Sequence, residues 1–75
     1  MARVEIYTNY ISGNEKIKQK IEKALKEGNE VRIGSSCIGH TRAEMVMNDG
    51  KRFMEELGAK PVYKDLWGTY YALTK

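Results

Sequence analysis

The chain has 75 residues, with 13 Lys and Arg against 10 Asp and Glu for a formal net charge of +3, and a single cysteine. A domain this short buries only about 60% of the surface its unfolded chain exposes, so its core is thin and self-association is a common remedy. One cysteine excludes an internal disulfide and the zinc patterns built on cysteine pairs, and it fits a reducing compartment. With no membrane-length apolar stretch and no signal-peptide pattern, the expectation is a single cytoplasmic domain over residues 1–75, with no membrane partner, no metal and no cofactor.

Ala2 to Thr8, ARVEIYT, alternates: Val4, Ile6 and Thr8 share one side, and Arg3, Glu5 and Tyr7 the other. Period two with β-branched residues predicts a strand. Turn formers in NYISGN, Asn9 to Asn14, end it, and Ser12 or Asn14 is placed to cap a helix. Ile17, Ile21, Ala24 and Leu25 then recur on one helical face. Lysines and glutamates fill the remainder, which reads as a solvated face supported by pairs such as Glu22–Lys26. Gly28 suits a left-handed stop.

Val31 and Ile33 form a second strand facing the core, with Arg32 on the opposite side. Ala43, Val46, Met47, Gly50, Phe53, Met54 and Leu57 keep helical phase straight through Asn48–Asp49–Gly50. This predicts one helix over about Thr41 to Leu57, with Gly50 allowing close packing at some cost in helix propensity, and Gly58 ending it. Lys60 to Asp65 and Thr69 to Thr74 read as an antiparallel hairpin turning at Leu66–Gly68, with Pro61 tolerated at a strand start. Tyr70 and Tyr71 point to opposite faces.

The order β-α-β-α-β-β predicts an α/β (α+β) two-layer sandwich, a four-stranded mixed sheet with both helices on one face and the first two strands joined by a crossover. The open sheet face, carrying Tyr7, Arg32 and one side of the hairpin, is polar enough to meet water or a partner.

The central stretch EVRIGSSCIGHTRAEM, Glu30 to Met45, runs from strand through small residues into a helix. Gly34, Ser35, Ser36 and Gly39 let backbone N–H groups approach a ligand, and a helix start adds partial positive charge and unpaired donors. Ser35, Ser36, His40, Thr41 and Arg42 add side-chain donors. Gly34 and Gly39 have Walker spacing, but His40–Thr41 replaces the Lys-Ser/Thr that must follow, and the Rossmann spacing is absent. Phosphate binding fits this turn and nucleotide hydrolysis does not. Cys37 and His40 form a Cys-x-x-His pair with no third orienting group, so neither nucleophilic catalysis nor a two-ligand metal site is expected. In the simplest structural account the stretch is a compact corner with Thr41 as helix cap.

The element order and the step Thr41-Arg42-Ala43 after a glycine-bearing turn resemble the Alba superfamily of small, often dimeric DNA- and RNA-binding proteins. The resemblance covers nearly the whole chain in topology and, in sequence, the second strand with its turn. It implies phosphate contact at that turn, with Arg42 at a family-like basic position. Departures are plain: the family's lysine pair falls at Asn9 and Tyr10, its turn arginines at Ser36 and Ile38, and its long basic hairpin is cut to a turn around Trp67, so strong duplex binding is not implied. The C-terminal domain of bacterial translation initiation factor three has the same element order. A thioredoxin-like fold is the rival, since RVEIYT resembles the first strand of glutaredoxins, but NYISGN holds the place of its Cys-x-x-Cys.

The expected function is therefore non-enzymatic binding of DNA or RNA, with a homodimer as the assembly. The expected contacts are Asn9, Tyr10, Ser35, Ser36, His40, Thr41, Arg42, Lys51 and Arg52, with Tyr10, Arg42, Lys51 and Arg52 near one edge and Tyr10 free to stack on a base. The alternative is a small-ligand- or protein-binding regulatory module using the same turn or the aromatics Trp67, Tyr70 and Tyr71. At least one of these aromatics is expected in the core, and Met45, off the apolar stripe, is expected at a dimer contact.

Overall fold

In a computed structural model of the chain, the residues described are 2–36 and 39–73, the side chain of His40 excepted. The order is β1 (Arg3–Thr8), α1 (Glu15–Lys26), β2 (Glu30–Ser35), α2 (His40–Glu56), β3 (Ala59–Asp65) and β4 (Gly68–Leu73). One mixed sheet runs β1-β2-β4-β3. β1 and β2 are parallel with Val4 opposite Val31 and Ile6 opposite Ile33, so their apolar residues share a face. β4 runs antiparallel to β2 and β3, and Val31 lies opposite Tyr71.

Both helices lie on that face. Ile21, Ala24 and Leu25 of α1 and Val46 and Met54 of α2 join Ile6, Val31 and Ile33 in one core, with Ile17, Phe53, Leu57 and Tyr71 packed around it. Asn14 caps α1 by accepting the Ile17 N–H. α1 and α2 are each followed by a glycine with positive φ, Gly28 and Gly58. α2 is continuous through Asn48–Gly50, as the apolar phase requires. A Cβ on Gly50 would sit 3.0, 3.3 and 3.4 Å from Cδ1, Cγ2 and Cβ of Ile33, so the glycine lets α2 lie directly on β2.

The hairpin turns in two residues: Asp65 pairs with Gly68, and the Asp65 carboxylate accepts the Trp67 and Gly68 N–H groups at 2.9 and 3.1 Å. Leu66 and Trp67, the turn itself, are 93% and 74% exposed. Tyr70 is buried and Tyr71 half-buried, so the hairpin's aromatic contribution to packing comes from these two, beside the buried Ala59 and Ala72, and not from Trp67.

The open face is less available than its residue types imply. Arg32 is buried there, its guanidinium held by Glu5 and, at 3.1 Å, by Asp65, with its centre 5.2 Å from the Tyr70 ring. Burial works against the Arg32 charge, but the Glu5 hydrogen bond and the surrounding acidic groups outweigh it and raise its pKa. The Tyr7 hydroxyl donates to Glu5 at 2.7 Å. That bond first, then the one from Arg32, holds Glu5 below the ordinary carboxylate range. Arg3 lies 3.9 Å over the Tyr63 ring and 3.0 Å from Glu30. Charges on this face are thus engaged with one another.

Candidate phosphate-binding site

A parallel strand pair followed by helices on one side sends both helix N-termini to the carboxyl end of the pair. Here β1 ends at Thr8 and β2 at Ser35, and α1 and α2 start just beyond. That end of a parallel pair is where α/β proteins hold ligands.

The first loop is organised by Thr8. Its hydroxyl donates to the Tyr10 carbonyl at 2.9 Å and accepts from the Tyr10 N–H and Asn14 Nδ2, each at 3.3 Å. Asn14 Nδ2 also donates to the Tyr10 carbonyl at 3.0 Å. The second loop is tied to the first: the Ser36 N–H donates to the Thr8 carbonyl at 3.0 Å, and the Ser36 hydroxyl donates to Asn9 Oδ1. Asn9 and Ser36, 27 residues apart, form one surface.

The two helix starts differ. α1 has its Asn14 cap and Glu15 in its first turn. α2 follows the N-cap Gly39, φ 115°, which has no side chain to cap it, and among the described residues its first turn holds no acidic side chain. Its first intrahelical bond runs from Ala43 N to Gly39 O at 3.2 Å, so the N–H groups of residues 40–42 precede the helical ladder. Thr41 is therefore inside the helix and is not its cap, which corrects the capping expectation: the N-cap is Gly39, two residues earlier. Thr41 and Arg42 are exposed there. Gly34 also has a different role from the one expected. A Cβ at that position would lie 2.9 Å from the Tyr7 ring, so its small size admits Tyr7 on the open face.

Asn9, Tyr10, Ser35, Ser36, Thr41 and Arg42 thus gather at one end, Tyr10 54% exposed. Arg42, Asp49 and Arg52 follow one another at seven- and three-residue intervals, a single stripe of α2. Arg52 lines a groove of about 110 Å³ with Ile11, Ser12 and Lys18, and Asp49 sits 4.0 Å from it. Lys51 is turned about 100° from Arg52 by the helix. It lines a different groove, about 190 Å³, between α2 and the hairpin, with Ile33, Met47, Met54 and Tyr71. Lys51 is not on the edge shared by Tyr10, Arg42 and Arg52, which corrects that grouping. Met45 is 55% exposed. Cys37 and Ile38 lie outside the described residues, as does the His40 side chain, and with them the Cys37–His40 pair. Sequence reasoning missed Thr8 as the hub of the loop; its place as the last residue on the buried side of β1 was the available signal.

The fold defined by this order and by the β1-β2-β4-β3 sheet is a two-layer α+β domain. No family model, curated protein or solved structure matches the chain. Among the described residues no helix is long and apolar enough to cross a membrane, and no three His, Cys, Asp or Glu side chains group to hold a metal ion.

Proposed function

We propose that the protein is a non-enzymatic, Alba-like nucleic-acid-binding domain that takes backbone phosphates at the start of α2. The observation that carries this reading is the acid-free N-terminus of α2, with a glycine at its N-cap, beside the linked Asn9–Ser36 pair. N–H groups of residues 40–42 and the helix dipole favour an anion, Arg42 adds a fixed charge, and exposed Tyr10 offers a ring for an unpaired base. Arg52 lies further along the same flank. The test is fluorescence anisotropy with labelled single-stranded RNA, single-stranded DNA and duplex DNA at low salt. Binding that weakens as salt rises, and weakens further in Arg42→Gln, supports the reading; no binding to any of the three at about 20 mM salt removes it.

Exposure of Leu66 and Trp67 beside the groove lined by Met47, Met54 and Tyr71 favours a second component, a homodimer joined through the hairpin. Light scattering on wild type and Trp67→Ala tests it. A dimer that Trp67→Ala turns into a folded monomer supports this contact, and a wild-type monomer at high micromolar concentration overturns it.

A further inference from the structure

The lysines of α1 are not equivalent. Lys18 and Lys26 lie 3.9 and 3.7 Å from Glu15 and Glu22, so Glu15, Lys18, Glu22 and Lys26 form a compensated row. Lys16, Lys20 and Lys23 are exposed, and among the described residues none has a carboxylate within 4.0 Å. Their four- and three-residue spacings place them on one stripe. Lys18 marks the side facing α2, with its ammonium 5.6 Å from the Phe53 ring centroid. Two residues of helix turn the Lys16–Lys20–Lys23 stripe about 160° from Lys18, to the flank away from α2.

The stripe also has a direction. Lys16 stands in the first turn of α1, at the end of the molecule that carries Asn9, Tyr10, Ser36 and the start of α2. Lys20 and Lys23 follow at rises of about 6 and 4.5 Å, and the stripe spans roughly 10 Å before Glu27 closes it. Positive charge with no carboxylate within 4.0 Å among the described residues therefore starts where the phosphate site ends and continues along one line.

We infer that Lys16, Lys20 and Lys23 extend this site into a track for the sugar–phosphate backbone of a single nucleic-acid strand. The inference rests on the reading of the preceding subsection and deepens it, since it makes the ligand a strand of several phosphates and not one phosphate group. A single strand is the occupant that fits, because Tyr10 at the head of the track can stack only on an unpaired base.

The experiment compares wild type with Lys16→Gln/Lys20→Gln/Lys23→Gln and with a control of equal charge loss, Lys26→Gln/Lys60→Gln/Lys64→Gln. Each binds a labelled single-stranded oligonucleotide across a salt series. All six positions are exposed, and Gln is a good helix former at the four in α1, so folding, checked by circular dichroism, is retained. For single strands log K falls with log salt at about 0.7 per phosphate contacted, so losing three contacts flattens the slope by about 2. The track variant should show that flattening and at least about tenfold weaker binding at low salt, and the control a much smaller change. An unchanged slope in the track variant, or equal flattening in the control, overturns the track while leaving the phosphate site in place. A track variant that weakens duplex binding as much as strand binding overturns the single-strand assignment. If wild type binds no oligonucleotide, the parent reading fails and the track fails with it.

Discussion

Gly50→Ala sets two opposed effects against each other at a known geometry. Replacing glycine by alanine inside a helix is worth about 1 kcal/mol in helix propensity. The new methyl group would meet Ile33 at 3.0, 3.3 and 3.4 Å. Of these contacts only Cδ1 is the far end of a side chain; Cγ2 moves only if χ1 of the branched side chain turns, and Cβ is fixed by the β2 backbone. Overpacking a core in this way costs about 1–3 kcal/mol. The net expectation is destabilisation of about 1 kcal/mol, which lowers Tm by about 4–8 °C for a domain of this size. Ile33→Val removes Cδ1, the closest atom, and alone costs about 1 kcal/mol. In the double variant the closest contact is gone while those at 3.3 and 3.4 Å remain, so the two changes should fall short of additivity by about 0.5 kcal/mol. Thermal and urea unfolding of the four proteins measure the cycle. A higher Tm for Gly50→Ala, or strict additivity with Ile33→Val, would refute the direct seating of α2 on β2.

Asn14→Ala removes the α1 cap and the amide donor to Thr8 and Tyr10; a loss of about 1 kcal/mol in urea unfolding is expected, and no change would mean the cap is dispensable. Glu5 has a depressed pKa when folded, so between its folded and its unfolded value, about 4.3, the unfolded chain binds more protons and stability rises with pH. Its contribution is fully present above about pH 5 and is lost as pH falls through the folded pKa. Urea midpoints for wild type should therefore drop more steeply than those of Glu5→Gln below about pH 4.3, and parallel curves would refute the linkage. Trp67→Ala, at a site 74% exposed, should leave monomer stability within about 0.5 kcal/mol; a larger loss would place the indole in packing.

The parts of the fold legible in the sequence are those set by local period. Arg3–Thr8 alternates strictly, and α2 keeps its apolar phase across Asn48–Asp49–Gly50, although Asp-Gly often marks a hairpin. The positions of single charges depended on partners far along the chain. Arg32 is buried because Glu5 and Asp65, 27 and 33 residues away, converge on it, and nothing local in Val31-Arg32-Ile33 reports that. The Asn9–Ser36 link likewise needs the parallel register of β1 and β2. By contrast, the separation of Lys51 from Arg52 follows from the helical period alone, which turns adjacent residues about 100° apart. Residue type alone leaves core and interface roles open for Trp67, whereas a two-residue turn leaves its central side chains outside both faces.

Titrating isotope-labelled protein with a short single-stranded oligonucleotide, and following each backbone amide by NMR, tests the proposed anion site most directly. Progressive shifts should concentrate at Asn9, Tyr10, Ser36, Gly39, Thr41 and Arg42, where the start of α2 meets the ends of β1 and β2. Shifts confined to Leu66–Gly68 and the groove beside it, or no shifts at low salt, would contradict it.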